Sequence, residues 1–467
     1  DLGCGDGRLA LELARRTRLQ IYAVDPDPAN VQAARRRLDA AGLCGTRVTV
    51  HRADLKRLPY PDFFADLVVS GRSLTEGPGA APRESIGRVL CPGTGVVCLG
   101  RPGTMKASRR KPLAGGGEWT HQNSSPANTL ASDDRLVRGP LEMLWFRDVD
   151  FLMVSRHGRA PGPLVQGGRM FVEGIHGLRA QNIYNGRPLW EYRLPGVLLP
   201  YHREHSIGAA WTGGNYCVGG DRVYVHDGRR CLALNAATGR KIRQFEPPNL
   251  PNGRPGTWGY VACSDGMLFG SLVDEEYLVK CWSDRWDTGG LFTESRLLFA
   301  LDVETGKLQW TYAPEHSIRH NTIAMGGGRI YLIDRPLAPS DDVRRSEQTG
   351  RPSEHAPGRL VALDRATGKL AWKGEDDAFG TLLVYSGEHD VLLAAYQAVH
   401  QASRDSERGD RMAAFRAGDG MLLWDVEARY ADRPVLVDRT IYAPPGAWDL
   451  LTGKRLPFEL ERSYGCG

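Results

Sequence analysis

A phrase of two short strands joined by a tight turn recurs along most of the chain and constrains its fold more than any other feature. Examples are LFALDVETGKLQWTY at 298–312 and LVALDRATGKLAWKG at 360–374. Successive turn glycines are 53, 67, 62, 52 and 33 residues apart, and they are Gly186, Gly239, Gly306, Gly368, Gly420 and Gly453. Each phrase has the T-G or N-G type of turn and the flanking strands of a β-hairpin.

A second strand pair stands upstream of most of these phrases, as in GDRVYVHDG and GGRIYLIDR. Each unit therefore predicts four short strands, and four-stranded units repeated on this scale are typical of a β-propeller. We interpret the tryptophans that fall four residues after a turn glycine as wedges between neighbouring blades; they are Trp190, Trp310, Trp372 and Trp424.

The repeat resembles the PQQ-repeat propellers, which comprise quinoprotein dehydrogenases and non-enzymatic relatives. The resemblance covers most of residues 119–467, with about six blades visible, and EWTHQNSSPANTLASDD at 118–134 is similar to the Trp-initiated entry segment of that superfamily. The adjacent cysteine pair of the dehydrogenases is absent from this sequence, so we expect no PQQ cofactor. We also expect this all-β propeller to be truncated at its C-terminal end.

Residues 1–103 have a different pattern, in which strands alternate with helices. LQIYAVD at 19–25 predicts a buried strand, and the following helix has Asp27 as its cap, Pro28 in its first turn and Gly42 at its exit. RVTVHRAD, ADLVVS and GVVCLG predict further short strands. This alternation predicts a parallel α/β sheet of the Rossmann-like kind.

The chain opens on DLGCGDG, a glycine-rich turn that runs directly into a helix. Such a turn lets a ligand approach the main chain, and the helix directs N–H groups at it. A dinucleotide-binding loop would need a glycine where Arg8 stands, which weakens that alternative.

The segment resembles the class I methyltransferases that depend on S-adenosylmethionine (SAM), whose first motif is acid-x-G-x-G-x-G. Three further family motifs follow in order, at the end of the second strand, in ADLKRLPYPDFFADLVVS and in GRVLCPGTGVVCLG. The resemblance implies that Asp25 binds the ribose hydroxyls and that Asp54 contacts the adenine edge. The implied SAM-binding residues are Asp1, Gly3, Gly5, Gly7, Asp25 and Asp54.

The sequence departs from that family at both ends of this domain. No strand precedes Asp1, so we expect a partial seven-strand domain, a chain cut from something longer, and weak SAM affinity. Of the helix and two strands that the family adds after its fifth strand, we expect at most one small strand in RPGTMKASRRKPLAGGGEW at 101–119. We interpret 104–118 as a linker between the partial methyltransferase-like domain (1–103) and the propeller (119–467). Catalytic residues and the methyl acceptor remain unknown.

Composition excludes several other classes of function. Sixty Lys and Arg balance 55 Asp and Glu, and the densest basic cluster is the short KASRRK at 106–111, so no nucleic-acid partner is favoured. No apolar run is long enough to cross a membrane. The nine cysteines are scattered singly and predict no metal site, and we interpret the histidines of HREH and HSIRH as surface or channel-mouth residues.

These observations leave three functional hypotheses. The first is a SAM-dependent methyltransferase whose propeller recognises the acceptor, a protein partner or a small ligand. The second is a propeller scaffold that carries a vestigial methyltransferase module, and the third, weaker, is a quinoprotein oxidoreductase. The compartment stays open: a SAM site favours the cytoplasm over the periplasm, where PQQ-type propellers often occur, and a leader segment could precede Asp1.

Overall fold

The structure is a computed structural model, and it describes residues 1–147, 150–154, 160–202, 208–250, 253–276, 291–337, 358–375, 377–396 and 409–460. The N-terminal α/β part contains five strands in two small sheets. They are β1 (Ile21–Asp25), β2 (Val48–Arg52), β3 (Leu67–Val69), β4 (Val96–Leu99) and β5 (Lys106–Arg109). Its helices are α1 (Arg8–Arg16), α2 (Pro28–Ala40), α3 (Ser73–Glu76), α4 (Arg83–Val89) and a 3-10 turn at Pro78–Ala80.

The predicted alternation of strands and helices is present. Strands β1 and β2 pair in parallel, and so do β3 and β4. Asp27 caps α2 as expected, because its carboxylate accepts a hydrogen bond from the Ala29 N–H at 2.8 Å. Residue Leu2 lies between the two sheets, bridging to Val24 and donating its N–H to the Val69 carbonyl at 2.9 Å.

Strand β5 lies inside the segment that the sequence analysis takes as a linker. It pairs antiparallel with β4, from Val96 opposite Arg109 to Leu99 opposite Lys106. The side chains of KASR are all exposed, as in a solvated loop, so the sequence does not indicate a strand there. The main chain of these residues makes the pairing with β4. This part of 104–118 therefore extends the N-terminal sheet.

The repeats form six consecutive antiparallel units among the described residues, here called sheets 1 to 6. Sheet 1 is β6 (Leu164–Gln166), β7 (Arg169–Gly174), β8 (Gly177–Asn182) and β9 (Pro188–Arg193). Sheet 2 is β10 (Tyr216–Gly219), β11 (Arg222–His226), β12 (Cys231–Asn235) and β13 (Lys241–Phe245). Sheet 3 is β14 (Trp258–Ser264), β15 (Met267–Val273), β16 (Glu294–Asp302) and β17 (Leu308–Tyr312).

The bridging strand β18 (Ser317–Arg319) pairs with both β16 and a strand of sheet 4, so sheets 3 and 4 are continuous. Sheet 4 is β19 (Ala324–Gly326), β20 (Arg329–Arg335), β21 (Arg359–Asp364) and β22 (Leu370–Lys373). Sheet 5 is β23 (Leu382–Ser386), β24 (Val391–Ala395), β25 (Gly409–Arg416) and β26 (Leu422–Tyr430). Sheet 6 is β27 (Val435–Val437), β28 (Thr440–Ala443) and β29 (Gly446–Asp449). Helix α5 (Ala209–Thr212) and 3-10 turns at Leu199–Tyr201 and His320–Thr322 lie between sheets.

The turn of the repeat is stabilised by its own side chains. In sheet 3 the Asp302 carboxylate accepts hydrogen bonds from both the N–H and the hydroxyl of Thr305, at 2.6 and 2.7 Å. Asp364 with Thr367 and Asp449 with Thr452 repeat this geometry. The recurring D-x-x-T-G letters thus encode a local structure that needs no tertiary contact.

The entry segment, residues 119–129, touches the first strand of every sheet in chain order, and we call it the hub. Its contacts are hydrogen bonds of 2.7 to 3.2 Å. The pairs are Trp119 with Val165, Thr120 with Val218, His121 with Cys263, Pro126 with Met325, Ala127 with Tyr385 and Thr129 with Leu436. The hub therefore ties the six sheets together from the side of their first strands.

Among the described residues of the repeat region, four hydrophobic clusters join neighbouring sheets. One lies between sheets 1 and 2, one between 2 and 3, one between 3 and 4, and the largest spans 4, 5 and 6. Two separate clusters lie in the N-terminal part.

Candidate functional site

The glycine-rich turn lies at the carboxyl end of β1, where α1 begins. Gly3, Gly5 and Gly7 all have positive φ, at 64°, 54° and 80°. This left-handed backbone disfavours other residues, which explains the three glycines at this spacing. A Cβ added to Gly5 would meet no atom within 4 Å, so the main chain there faces open space.

Asp25 ends β1 directly beneath this turn and is 1% exposed. Its Oδ2 accepts a hydrogen bond from the Gly5 N–H at 3.0 Å, and its Oδ1 accepts from the Asp27 N–H and the Asn30 amide at 3.0 and 3.2 Å. The carboxylate thus holds the turn in place. Its predicted contact with ribose stays a prediction and would have to use its remaining lone pairs.

Asp54 follows β2, which is the parallel neighbour of β1. The Ala53 N–H donates to the Asp25 carbonyl at 3.3 Å, so the two acids stand at the same edge of the sheet. Asp54 is exposed, and its Oδ1 accepts a hydrogen bond from the Lys56 N–H at 2.9 Å. The structure therefore brings Asp25 and Asp54 to the edge at which the glycine turn stands.

Asp1, the acid of the glycine motif, faces the other sheet. Its Oδ1 accepts a hydrogen bond from the Gly71 N–H at 2.7 Å, and its buried Oδ2 has no hydrogen-bond partner among the described residues. Asp1 therefore couples the turn to the loop after β3. The unpartnered oxygen is a free acceptor at this end of the site.

Arg72 is a residue of this site that sequence analysis missed. Its N–H donates to the Gly3 carbonyl at 3.0 Å, and a Cβ added to Gly3 would meet the Arg72 Cβ at 2.9 Å. Its Nε is 3.9 Å from the exposed Glu76 carboxylate. A guanidinium here can bind a carboxylate group. A lone arginine in GRSLTEG carries no spacing signal that could have identified it.

Cys4 is excluded as a nucleophile by its surroundings. It is buried within the turn, and burial, followed by the negative charge of Asp25, raises the pKa of its thiol to about 11. The thiol is therefore protonated at neutral pH. Cys4 is the one cysteine of the turn, so the turn can bind a ligand but offers no thiolate for covalent chemistry.

Two family models match the chain at separate places. Residues 1–93 match the model described as a methyltransferase domain, and residues 287–444 match the model described as outer membrane protein assembly factor BamB. This chain joins a methyltransferase domain to a PQQ-like repeat domain. The two resemblances inferred from the sequence are thereby confirmed, as is the order of an N-terminal methyltransferase domain and a C-terminal propeller-type domain.

Solved structures are similar to each part separately. BamB from Moraxella catarrhalis shares 11% identity over 62% of this chain and 69% of its own, with a TM-score of 0.36. Quinohemoprotein alcohol dehydrogenase from Comamonas testosteroni shares 16% over 73% of this chain and 52% of its own, with a TM-score of 0.40. A putative SAM-dependent methyltransferase from Methanococcus maripaludis shares 29% over 21% of this chain, with a TM-score of 0.19, and this chain spans 44% of its length.

The methyltransferase domain is bonded to the turn of sheet 1. Asp66 accepts hydrogen bonds from the Asn182 amide at 2.7 Å, from the Arg187 guanidinium at 2.6 Å and from the Asn185 amide at 3.3 Å. The Asn185 amide also donates to the Phe64 carbonyl at 3.2 Å. Sheet 1 has Asn185 at the position where the turns of sheets 2, 3, 4 and 6 have threonine, and this asparagine contacts the other domain.

The propeller-type domain contains a buried polar cluster around His320, a residue that the sequence predicted at the surface. His320 was expected at a surface or channel mouth but is 1% exposed. Its Nδ1 donates to the Thr212 carbonyl at 2.7 Å, so its Nε2 accepts from the Ser295 hydroxyl at 2.8 Å. Burial lowers its pKa to about 4, and the ring is neutral at pH 7. His316 is exposed as expected, and His205 lies outside the described residues.

A cavity of about 90 Å³ borders this cluster between sheets 2 and 3, with His226, His320 and Trp258 in its wall.

Among the described residues, no group of three His, Cys, Asp or Glu side chains could hold a metal ion. In the same part of the chain, no helix is long and apolar enough to span a membrane.

Proposed function

We propose that this protein is a SAM-dependent methyltransferase whose propeller-type domain recognises the acceptor or a partner protein. The observation that carries the proposal is the bare main chain of Gly5, open to solvent at the sheet edge shared by Asp25 and Asp54. The methyltransferase-domain match over residues 1–93 supports it.

Each of these residues has a role that its position supports. The turn and the N-terminus of α1 present main-chain N–H groups to the ligand, and Asp54, which is exposed, can accept hydrogen bonds from the adenine edge. Asp25 keeps Gly5 in its left-handed conformation while its spare lone pairs face the ribose. Arg72 and the free oxygen of Asp1 stand at the other end, where the charged amino-acid group of SAM would bind.

The bound donor supplies the chemistry, because its sulfonium makes the methyl group electrophilic. The protein then has to align the acceptor, since proximity and orientation account for most of the acceleration in such transfers. The hydrogen bonds of Asp66 to Asn182, Asn185 and Arg187 hold the propeller-type domain at a set distance from the site, as acceptor recognition requires.

A second candidate function is a propeller scaffold with a vestigial methyltransferase module. The burial of Asp25 favours it, since this side chain is 1% exposed and already accepts three hydrogen bonds from the protein. A carboxylate used in this way binds a ribose less readily than an exposed one.

Titration calorimetry with SAM separates the two functions. We expect saturable binding to the unaltered chain and a loss of about tenfold in affinity for Asp54→Asn, which corresponds to about 1.4 kcal/mol. The matched control is Asp39→Asn, an exposed carboxylate on α2 away from the turn, which should bind SAM as the unaltered chain does. Absence of saturable binding in the unaltered chain supports the scaffold and contradicts the proposal.

A further inference from the structure

The cavity of about 90 Å³ between sheets 2 and 3 takes no part in the proposed methyl transfer. It lies where β10 and β14 begin and β11 ends, and segments between the sheets contribute Val197, Leu291 and Phe292 to its wall. One water molecule occupies about 30 Å³ in the liquid, so the cavity can hold about three waters or a ligand of about four non-hydrogen atoms.

Two side chains of sheet 2 in this wall carry a polar atom without a hydrogen-bond partner in the described part of the chain. They are Oδ1 of Asn215 and Nε2 of His226, and these residues are 4% and 7% exposed. The two residues stand opposite each other: the His226 N–H donates to the Asn215 carbonyl at 3.0 Å, and the Asn215 amide donates to the His226 carbonyl at 3.2 Å. Side chains directly opposite in an antiparallel pair lie about 5 Å apart on the same face, so one ligand can contact both.

The two unpaired atoms differ in what they offer a ligand. Nδ1 of His226 accepts a hydrogen bond from the Gly228 N–H at 3.3 Å, and burial lowers the pKa of the ring to about 3. The ring is therefore neutral with its proton on Nε2, which is a donor. The Asn215 amide nitrogen also donates to Oε1 of Glu173 at 2.8 Å, which leaves Oδ1 as an acceptor.

The other polar side chains of the wall already have partners. They are Tyr201, Thr212, Asp227, Thr257, Trp258 and His320. The carboxylate of Asp227 is exposed at the rim, where its Oδ2 lies 3.3 Å from Nε of Arg230. The described wall thus offers a ligand one donor and one acceptor but no unpaired charge.

The rest of the wall is apolar. Trp258 and Val273 of sheet 3 line it together with Leu291. The ring of His226 is stacked on that of Trp258, with the ring centroids 6.1 Å apart and the planes at 25°. This stacking holds the imidazole at the edge of the apolar surface, so the ligand needs an apolar end as well as a polar one.

We propose that this cavity binds a small primary amide, whose NH₂ group donates to Asn215 Oδ1 and whose carbonyl accepts from His226 Nε2–H. A primary amide presents a donor and an acceptor side by side on one flat group, which complements the two unpaired atoms. Its alkyl end lies against Trp258 and Val273. A carboxylate of the same shape has no donor for Asn215, and its charge would be buried without a counter-charge.

Saturation-transfer NMR on the full chain, with acetamide as the probe, tests the proposal. We expect a saturable transfer signal at the acetamide methyl group. Acetone and acetate have as many non-hydrogen atoms as acetamide but no N–H, so each should bind at least about tenfold more weakly. Equal binding of the three compounds, or no saturable signal from acetamide, overturns the proposal and leaves the cavity to water.

Two variants locate the binding. His226→Phe keeps a ring to stack on Trp258 but removes the Nε2–H donor, and we expect it to weaken acetamide binding by about tenfold or more. Val273→Phe fills the cavity and should abolish binding although both polar side chains remain, so it tests the site even if His226→Phe fails to fold. His316→Phe is the matched control, because His316 is exposed and outside the cavity, and it should bind acetamide as the unaltered chain does.

Thermal unfolding of each variant shows whether it is folded. Unchanged acetamide affinity in folded Val273→Phe overturns the proposal, as does equal loss of binding in His316→Phe. None of these measurements involves SAM, so their outcome is independent of the proposed function.

Discussion

Glu173 shows how burial can change the chemistry of a single residue. It is 1% exposed in β7, and its Oε1 accepts a hydrogen bond from the Asn215 amide at 2.8 Å. Within the part of the chain that the structure describes, its Oε2 has no hydrogen-bond partner. Burial raises its pKa to about 8, so the side chain is protonated in the folded protein at neutral pH. The sequence RMFVEG does not predict that Glu173 is buried, because a glutamate in a strand is usually exposed to solvent.

We expect Glu173→Gln to remove a pH-dependent loss of stability. The pKa of Glu173 is higher in the folded than in the unfolded protein, so the folded state holds the proton more tightly. The protonated side chain therefore contributes fully to stability below about pH 4.5, and this contribution is lost as the pH rises through about 8. The free energy of unfolding of the unaltered protein should therefore fall relative to the glutamine variant by up to about 1.4 kcal/mol per pH unit across this window. Urea denaturation of both proteins at pH 5 and pH 8 measures the difference; a constant difference contradicts the prediction.

At the scale of an element, the hub is what makes six repeated sheets into one domain. The side chain of Asn128 connects two neighbouring sheets: its amide donates to the carbonyl of Ile323, the residue before β19 of sheet 4, at 2.8 Å and to that of Leu383 in β23 of sheet 5 at 3.0 Å. The residue has φ of 62°, a left-handed conformation that asparagine tolerates better than most residues. One short polar segment thereby replaces pairwise contacts between distant sheets.

Substituting Asn128→Gly tests the hub. Glycine keeps the left-handed backbone but leaves two buried carbonyls unpaired, so we expect a loss of about 2–4 kcal/mol in the free energy of unfolding. Asp438→Gly is the control, because Asp438 also has positive φ, at 49°, but is exposed in the turn between β27 and β28. It should change stability by less than about 0.5 kcal/mol. Equal losses in the two variants would show that the backbone, and not the amide, is responsible.

At the scale of the whole molecule, the turn of sheet 1 joins the two domains into one unit. Besides the Asp66 hydrogen bonds, the ring of Phe63 lies 5.0 Å from that of Tyr184. Gly93 and Gly168 approach the opposite main chain so closely that an added Cβ would overlap it. The relative position of methyltransferase domain and propeller is therefore set by close packing as well as by hydrogen bonds.

Asn185→Thr should weaken the contact between the two domains and leave the turn of sheet 1 intact. Threonine restores the T-G turn of sheets 2, 3, 4 and 6 but cannot reach the Phe64 carbonyl or the Asp66 carboxylate. We expect calorimetry to show the methyltransferase domain unfolding in a separate transition below that of the propeller-type domain. Thr238→Asn in the turn of sheet 2, which faces solvent, is the reciprocal control and should leave the transitions as they are. A single unchanged transition in Asn185→Thr would mean that packing alone holds the domains together.

The sequence by itself determined the parts of this protein that depend on neighbours in the chain. The D-x-x-T-G turns and the cap of α2 at Asp27 arise from contacts within a few residues, so both were predictable from the local sequence. The glycines at 3, 5 and 7 were recognisable as a turn in the sequence, although Asp25, twenty residues away from Gly5, holds that turn in place. Only the tertiary structure decided the hub, the burial of Glu173 and His320, the position of Arg72 over Gly3 and the docking of Asn185 on Asp66. Those contacts join residues far apart in the chain, and the free energy that selects them comes from burial and from pairing buried polar groups, which no local pattern records.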